Sequence, residues 1–469
     1  MTATRPAHLC VALTHSLHVR NFVASGCLEE IARHGHSLTL IVPDFARDDV
    51  LREVAGWPCM PGMERLEPLL AGPGRRRLRA WGHTASFVHR RRWRTYAHKL
   101  RMSVKLTSPL FAARVGLLAL ADRWCDVERL GQRAERWLRP RRSALATLGR
   151  LRPDVLFAPT LVHDGSEVEL VKAAHHLGIP TVGFAASWDT LTSKGAFAVP
   201  PDWLLVWGEE NRRQAVEHHG FSPSRVLATG APHFDVYGDG SAAEPRAAFL
   251  ARRGVDPHKR VLLFAGTTVT YWEDEPRLLR ALSTAIAQGE LKDWLIWYRP
   301  HPRRPLREVA DVAGLPHVVL DDQMARHKAE GASAYSARRE DLRHYRSLME
   351  SVEAVVTAFS TMIVEAALLG KPSLVVGFGT DVADSGRLIQ HARYEHSINL
   401  LATPGVTLCG DLDQLEREIR RVAAGEYEAC ADALRARADA IARNRDGRAR
   451  ARIVDALELI AAEPRGATA

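Results

Sequence analysis

The stretch Ala354-Val355-Val356-Thr357-Ala358-Phe359-Ser360-Thr361-Met362-Ile363-Val364-Glu365-Ala366-Ala367-Leu368-Leu369-Gly370-Lys371-Pro372-Ser373-Leu374-Val375-Val376 contains two apolar runs separated by a segment with helical spacing. Two hydroxyl residues open that segment, and Gly370 with Pro372 closes it. It predicts strand, helix over 361–369, strand, the crossover unit from which parallel sheets are built. Earlier in the chain the same alternation recurs: strand Val261–Ala265, helix Glu275–Ala287, strands Trp294–Tyr298 and Val318–Leu320, helix Leu342–Ser351.

A first series of the same kind opens the chain. Leu9–Thr14 and Ser37–Val42 read as strands around a helix over Asn21–His34, leaving His15–Arg20 as a polar loop at the carboxyl end of the first strand. Ligands of open α/β sheets bind at that end. After about 100 residues of mostly helical pattern, an insertion over 48–151, the series resumes. It runs through Val155–Ala158, a helix over Ser166–Leu177, Thr181–Ala185, Trp203–Trp207, a helix over Glu210–His219, and Val226–Thr229. Two βα series joined near Gly230–Gly240 predict two similar α/β domains facing one another across a cleft. Their expected bounds are 1–235 and 236–440, followed by a helical tail over 441–469.

With 469 residues, 46% hydrophobic and 25% charged, the chain has an ordinary globular composition with room for two or three domains. No run approaches the ~18 apolar residues of a spanning helix, and the first ten residues lack a signal-peptide core. A cytoplasmic location is expected. The six cysteines show no CxxC or CxxH spacing, which argues against a disulfide framework or a zinc site.

The net charge of +9 is unevenly distributed. From Pro68 to Pro153 there are 21 Lys/Arg against 4 Asp/Glu, +17, so the remainder carries 43 minus 51, or −8. Within this segment Arg75–Arg77, Arg79, Arg90–Arg92 and Arg94 alternate with Trp81, Phe87, Trp93 and Tyr96. Guanidinium groups with amphipathic rings suit an anionic interface, and residues 75–105 are expected to meet an anionic membrane surface. A solvated helical face is the plainer alternative. Nucleic acid is not expected, because no helix-turn-helix, zinc-finger or RNP signature accompanies the charge.

Three turns at predicted strand ends carry chemistry. Trp294–Tyr298 runs into Arg299-Pro300-His301-Pro302-Arg303-Arg304, where prolines stiffen a turn bearing one imidazole and three guanidinium groups, a set that can donate to an anion. Ser360-Thr361 places two hydroxyls at a helix start, where unpaired N–H groups favour phosphate; as a bland reading the pair is an N-cap. Glu365, one turn on, can accept from a ribose diol. Gly266-Thr267-Thr268 adds a flexible glycine and two hydroxyls. A nucleotide phosphate is the ligand that needs this set. Candidate bases for an acceptor hydroxyl are Asp189, Asp164 and His15, with His163 and Glu167 behind them, each with a plain reading as a turn or capping residue. Asp321-Asp322 reads as a solvated loop pair rather than a DxD metal motif, so no metal and no bound cofactor are expected. Gly377-Phe378-Gly379 lacks a third glycine and there is no GxxxxGK[ST], so a dehydrogenase or P-loop enzyme finds no support.

These residues resemble a family. Arg299-Pro300-His301-Pro302 and Ser360-Thr361-x-x-x-Glu365-Ala366, followed by Leu368-Leu369-Gly370-Lys371-Pro372, look like the GT-B glycosyltransferases, especially bacterial surface-polysaccharide enzymes. Ser187-Trp188-Asp189-x-Leu191-Thr192-Ser193-Lys194-Gly195, Val206-Trp207-Gly208-Glu209 and Thr229-Gly230-Ala231-Pro232-x-x-Asp235 are similar to that group too. The His-Pro turn with a Ser/Thr element is shared by sialyltransferase-like, Kdo-transferase-like and CDP-polyol phosphotransferase relatives. The resemblance implies a GT-B fold with the acceptor on the N-terminal domain and a nucleotide-sugar donor on the C-terminal one. His301, Arg299, Ser360, Thr361 and the Gly266–Thr268 turn would hold phosphate, and Glu365 the ribose. It implies metal-independent transfer of a sugar to a glycan or lipid-linked acceptor, in capsule or lipopolysaccharide synthesis, by a peripheral protein on the inner face of the membrane. A teichoic-acid-type CDP-polyol phosphotransferase is the nearest alternative. A UDP-sugar 2-epimerase, whose Thr-Glu-Arg-Pro-Glu pattern is absent after Pro372, and a non-catalytic protein of the same fold follow.

Overall fold

The computed structural model describes residues 6–66, 73–89, 109–160, 162, 165–240, 243–269, 271–289, 291–321, 323, 338–379 and 382–463. The chain divides into two compact units, Met1–Pro232 with Arg448–Ala469, and His233–Gly447. The stretch expected as a separate tail over 441–469 is thus shared between them. Its last helix, Ala449–Ala461, packs on the helix Cys27–Arg33 of the first unit. There Glu458 accepts from both His34 (3.1 Å) and His36 (3.0 Å).

In the first unit, strands β1 (His8–Ala12), β2 (Ser37–Val42), β3 (Gly62–Arg65), β4 (Val155–Thr160), β5 (Thr181–Ala185), β6 (Trp203–Val206) and β7 (Val226–Ala228) form a parallel sheet in the order β3-β2-β1-β4-β5-β6-β7. In the second, β8 (Arg260–Ala265), β9 (Trp294–Arg299), β10 (Val318–Leu320), β11 (Ala354–Thr357), β12 (Ser373–Val376) and β13 (Val406–Cys409) run β10-β9-β8-β11-β12-β13, again all parallel. Each sheet is laid outward from its first strand, then resumes on that strand's other side. The reversal opens a crevice at the carboxyl ends, between β1 and β4 and between β8 and β11, where doubly wound sheets take ligands.

Successive residues of β8 explain why these strands read as unbroken apolar runs. Leu262 and Phe264 pack into one core with Ile296, Tyr298 and Val356, while Val261, Leu263 and Ala265 pack into another with Trp297 and Val355. Alternate side chains enter opposite layers, so both faces of the sheet must be apolar.

Two sequence expectations change in the first unit. The stretch 48–151 is not all insertion: the helix Asp44–Val54 leads into β3, which pairs with β2 from Thr39↔Gly62 to Val42↔Arg65. The supposed loop His15–Arg20 is helical, with His15 capping Ser16–His18 and a π-helical turn following over Val19–Ala24.

The helices Pro73–Val88, Pro109–Ala121, Val127–Trp137 and Arg142–Leu151 follow β3. The first and third of them are anchored by a buried charge cluster to the helix Gly165–His176. Arg79 bonds Glu135 (3.0 Å) and Glu169 (2.6 Å), and Lys172 bonds Glu135 (2.8 Å). Removing one partner of a buried pair leaves an uncompensated charge. Glu135→Ala is expected to lower the unfolding free energy by about 3 kcal/mol in urea titrations, and a loss below about 1 kcal/mol, the range of exposed pairs, would show that the cluster does not hold the insertion.

Candidate functional site

The second sheet brings its strand-end turns to one level. Ala265 at the end of β8 is in register with Arg299 of β9 on one side and Thr357 of β11 on the other. Thr357 Oγ1 donates to the Ala265 carbonyl at 2.8 Å, and the Gly266 N–H donates to the Arg299 carbonyl at 2.9 Å. A Cβ at Gly266 would stand 2.6 Å from Glu275 Oε1 and 3.2 Å from the His301 nitrogen, so only glycine lets the two turns approach this closely.

Beneath them lies a buried ion pair. Arg304, fully buried, places Nε 3.2 Å from Glu275 Oε1, bonds Glu308 at 2.8 Å, and donates to the carbonyls of Thr267 (3.2 Å) and Trp272 (2.6 Å). Glu275 accepts from the Thr267 N–H (2.6 Å), the Thr267 hydroxyl (3.2 Å) and Tyr298 (2.8 Å). Burial pushes the Glu275 carboxyl up in spite of Arg304, and burial with the neighbouring Glu275 pushes the Tyr298 phenol up.

This corrects the expectation that three guanidinium groups face a ligand. Arg304 is structural, and the Thr267 hydroxyl is turned to Glu275. Arg299 bonds Asp321 at 3.1 Å and lies over the Tyr345 ring at 4.5 Å. Asp321, expected to be solvated, is completely buried and also accepts from Trp297 Nε1; Asp322 lies outside the described residues. Burial alone would raise the Asp321 carboxyl, but Arg299, with His344 and Trp297, holds it well below the usual carboxylate range.

His301 is half-buried, and its Nδ1 accepts the Arg303 N–H at 3.1 Å. That bond selects the neutral tautomer with its proton on Nε2, which makes Nε2 a donor. Across the crevice, Ser360 Oγ accepts the Met362 N–H at 3.3 Å, and Thr361 makes no side-chain cap bond at the start of the helix Met362–Leu368. Both hydroxyl residues are half-buried. Glu365, buried within that helix, accepts from Tyr237 at 2.7 Å. Thr268 is half-buried and its carbonyl accepts from the Tyr271 and Trp272 N–H groups. Tyr271 reaches His391, whose ring also stands 6.1 Å from Phe359 and 4.8 Å from Tyr394. Tyr237, Glu275 and this aromatic group were not singled out from sequence. The only sequence sign of Tyr237 was its place two residues after the motif ending at Asp235.

In the first unit, Asp189 follows β5 and accepts from Ser193 at 2.6 Å, with Lys194 Nζ at 3.4 Å. His15 Nδ1 accepts the Leu17 N–H at 3.0 Å, so its neutral tautomer also presents a donor at Nε2. His18 beside it is fully buried, and burial with nearby His15 lowers its pKa to about 3. Glu167 is buried in the first turn of the helix Gly165–His176. Asp164 and His163 lie outside the described residues. Among the described residues, His89, Asp122 and Asp126 have ligand atoms within 4.8 Å of one another, a group able to hold a metal ion. It belongs to the helices after β3 and not to either sheet edge.

No family model and no curated protein matches the sequence. Solved structures match it over almost its whole length. A putative UDP-N-acetylglucosamine 2-epimerase from Listeria monocytogenes is similar at 12% identity and a TM-score of 0.54, covering 97% of this chain and 96% of that one. A glycosyltransferase from Rickettsia africae is similar at 10% identity and 0.53, covering 98% and 100%. The chain has the GT-B fold. A third GT-B neighbour, the UDP-GlcNAc 2-epimerase from Neisseria meningitidis bound to UDP-GlcNAc, is similar at 11% identity and 0.52, covering 96% and 99%.

The Arg299–Asp321 pair makes a pH prediction. Folding lowers the Asp321 pKa, so its contribution is present above about pH 4, the ordinary aspartate range, and is lost as the pH falls towards the folded value. Melting temperatures between pH 3 and 7 should show wild type losing stability at the acid end. Asp321→Asn should be less stable at pH 7 by about 3 kcal/mol and less steep in acid; parallel curves for the two proteins would refute the assignment.

Proposed function

We propose that the protein is a glycosyltransferase that takes a sugar from a nucleotide-sugar donor held at the carboxyl edge of the second sheet. The observation that carries this reading is the level meeting of the Gly266, His301 and Ser360–Thr361 turns around the β8/β11 crevice. In this reading His301 Nε2–H, with the Ser360 and Thr361 hydroxyls, donates to the donor's phosphates. Glu365, steadied by Tyr237, accepts from the ribose hydroxyls. Departure of the nucleotide leaves negative charge on phosphate, and fixed donors stabilise it without requiring a metal ion. The acceptor, a glycan or lipid-linked glycan of a bacterial surface polysaccharide, is assigned to the first unit. Asp189 or Asp164 takes the proton of its attacking hydroxyl. Neutral His15, a donor at Nε2, fits orientation of that hydroxyl better than its deprotonation.

The likeness to UDP-GlcNAc 2-epimerases favours a second reading, in which the same nucleotide site serves an epimerase. Product analysis separates the two: sugar on an acceptor, or an epimerised nucleotide sugar. A polyol phosphate on the acceptor would instead mark a CDP-polyol phosphotransferase.

A thermal-shift screen against CMP, CDP, UMP, UDP and GDP, with and without magnesium, tests the shared site. One nucleotide is expected to raise the melting temperature by a few degrees at about 100 times its Kd, irrespective of magnesium. His301→Ala should weaken that nucleotide's binding about tenfold, the loss of one charge-assisted hydrogen bond. Absence of any shift at millimolar nucleotide, or an equal shift in His301→Ala, would count against the reading.

A further inference from the structure

The helix Pro109–Ala121 is apolar except for Arg114 and yet contains no buried residue. One face, with Phe111, Val115 and Leu118, packs on Phe87 and Val88. The other presents Leu110, Leu117 and Leu120 to solvent, 82%, 63% and 56% exposed, and Trp124 just beyond the helix is 86% exposed. These positions are spaced seven, three and four residues apart, a single stripe along the helix. The next helix, Val127–Trp137, also exposes Leu130 and Trp137, the latter 90% exposed.

Single exposed apolar residues are unremarkable in soluble proteins, but a contiguous set marks an interaction surface. Of the thirteen large hydrophobic side chains exposed among the described residues, seven lie between Trp81 and Trp137. The fully exposed charge around them has one sign. Arg123, Arg129, Arg133, Arg136 and Arg139 are exposed, whereas Asp122 and Glu135 are buried and Asp126 and Glu128 half-buried. An apolar stripe ending at an exposed indole, in a segment whose exposed charged side chains are all arginines, fits a bilayer interface, where leucines enter the acyl boundary, tryptophans rest at headgroup depth and arginines pair with lipid phosphate.

We propose that this face, the stripe from Leu110 to Trp124, docks the protein on an anionic lipid bilayer. The docking is peripheral: no helix of the described residues is long and apolar enough to cross a membrane. The surface differs from the one expected from sequence over 75–105, of which residues 90–105 lie outside the described residues. It does not depend on the catalytic reading.

Co-sedimentation with vesicles of phosphatidylglycerol and phosphatidylcholine, against phosphatidylcholine alone, tests it with the full chain. Wild type should bind the anionic vesicles at least tenfold more strongly, and less as salt is raised. The triple variant Leu117→Glu, Leu120→Glu, Trp124→Glu should lose that binding at least tenfold while melting as wild type does, since all three side chains are exposed. Leu177→Glu, an exposed leucine elsewhere, should bind as wild type. The proposal is overturned if wild type ignores anionic vesicles or if the triple variant binds them unchanged. It is also overturned if light scattering shows a lipid-free wild-type dimer that the triple variant converts to monomer, since a second copy would then own the face.

Discussion

One buried guanidinium holds the candidate site together. Arg304 lies in the turn after β9, and its bonds reach the turn after β8, through the carbonyls of Thr267 and Trp272 and the carboxylate of Glu275. A planar, permanently charged fork with several donors can join two loops in this way where an ammonium cannot. The cost of burying it is offset because Glu275 and Glu308 lie against it and the carbonyls satisfy its N–H groups. With the two turns clamped, Gly266 and His301 stand side by side, and the imidazole is aimed by the Arg303 N–H.

The wider frame follows from strand direction. Parallel strands need crossovers, and every crossover brings the chain back so that the carboxyl ends share one edge. When the winding reverses at β8, the adjoining β11 begins a turn at the same height. The hydroxyls of Ser360 and Thr361 thus come near the histidine turn although about sixty residues of chain separate them. The GT-B neighbours carry this frame at 10 to 12% identity, which fits a fold specified by apolar patterning and crossover handedness more than by particular side chains.

Most strands were legible because they are buried on both faces and therefore read as apolar runs. β3 was not: Gly62-Met63-Glu64-Arg65 sits at the sheet edge with largely exposed side chains, and nothing in its pattern demands burial. The turns and their hydroxyls were legible as positions, but the fate of the arginines was not. Arg299 and Arg304 look from sequence like anion donors, yet each is taken by an acid that only the tertiary fold supplies, Asp321 and Glu275. Tyr237 and Glu365 are 128 residues apart, so their bond has no local trace. The helix at Ser16–His18 escaped notice because its first turn is polar and its cap is a histidine, an uncommon choice beside Ser, Thr, Asp or Asn.

A crystal structure of the protein grown with the nucleoside diphosphate that stabilises it most would test directly whether the β8/β11 crevice of the second sheet is a nucleotide site. Phosphate density is expected within hydrogen-bond distance of His301 Nε2 and of the Ser360 or Thr361 hydroxyl, with the ribose against Glu365. A nucleotide bound elsewhere, with these four side chains untouched, would contradict it.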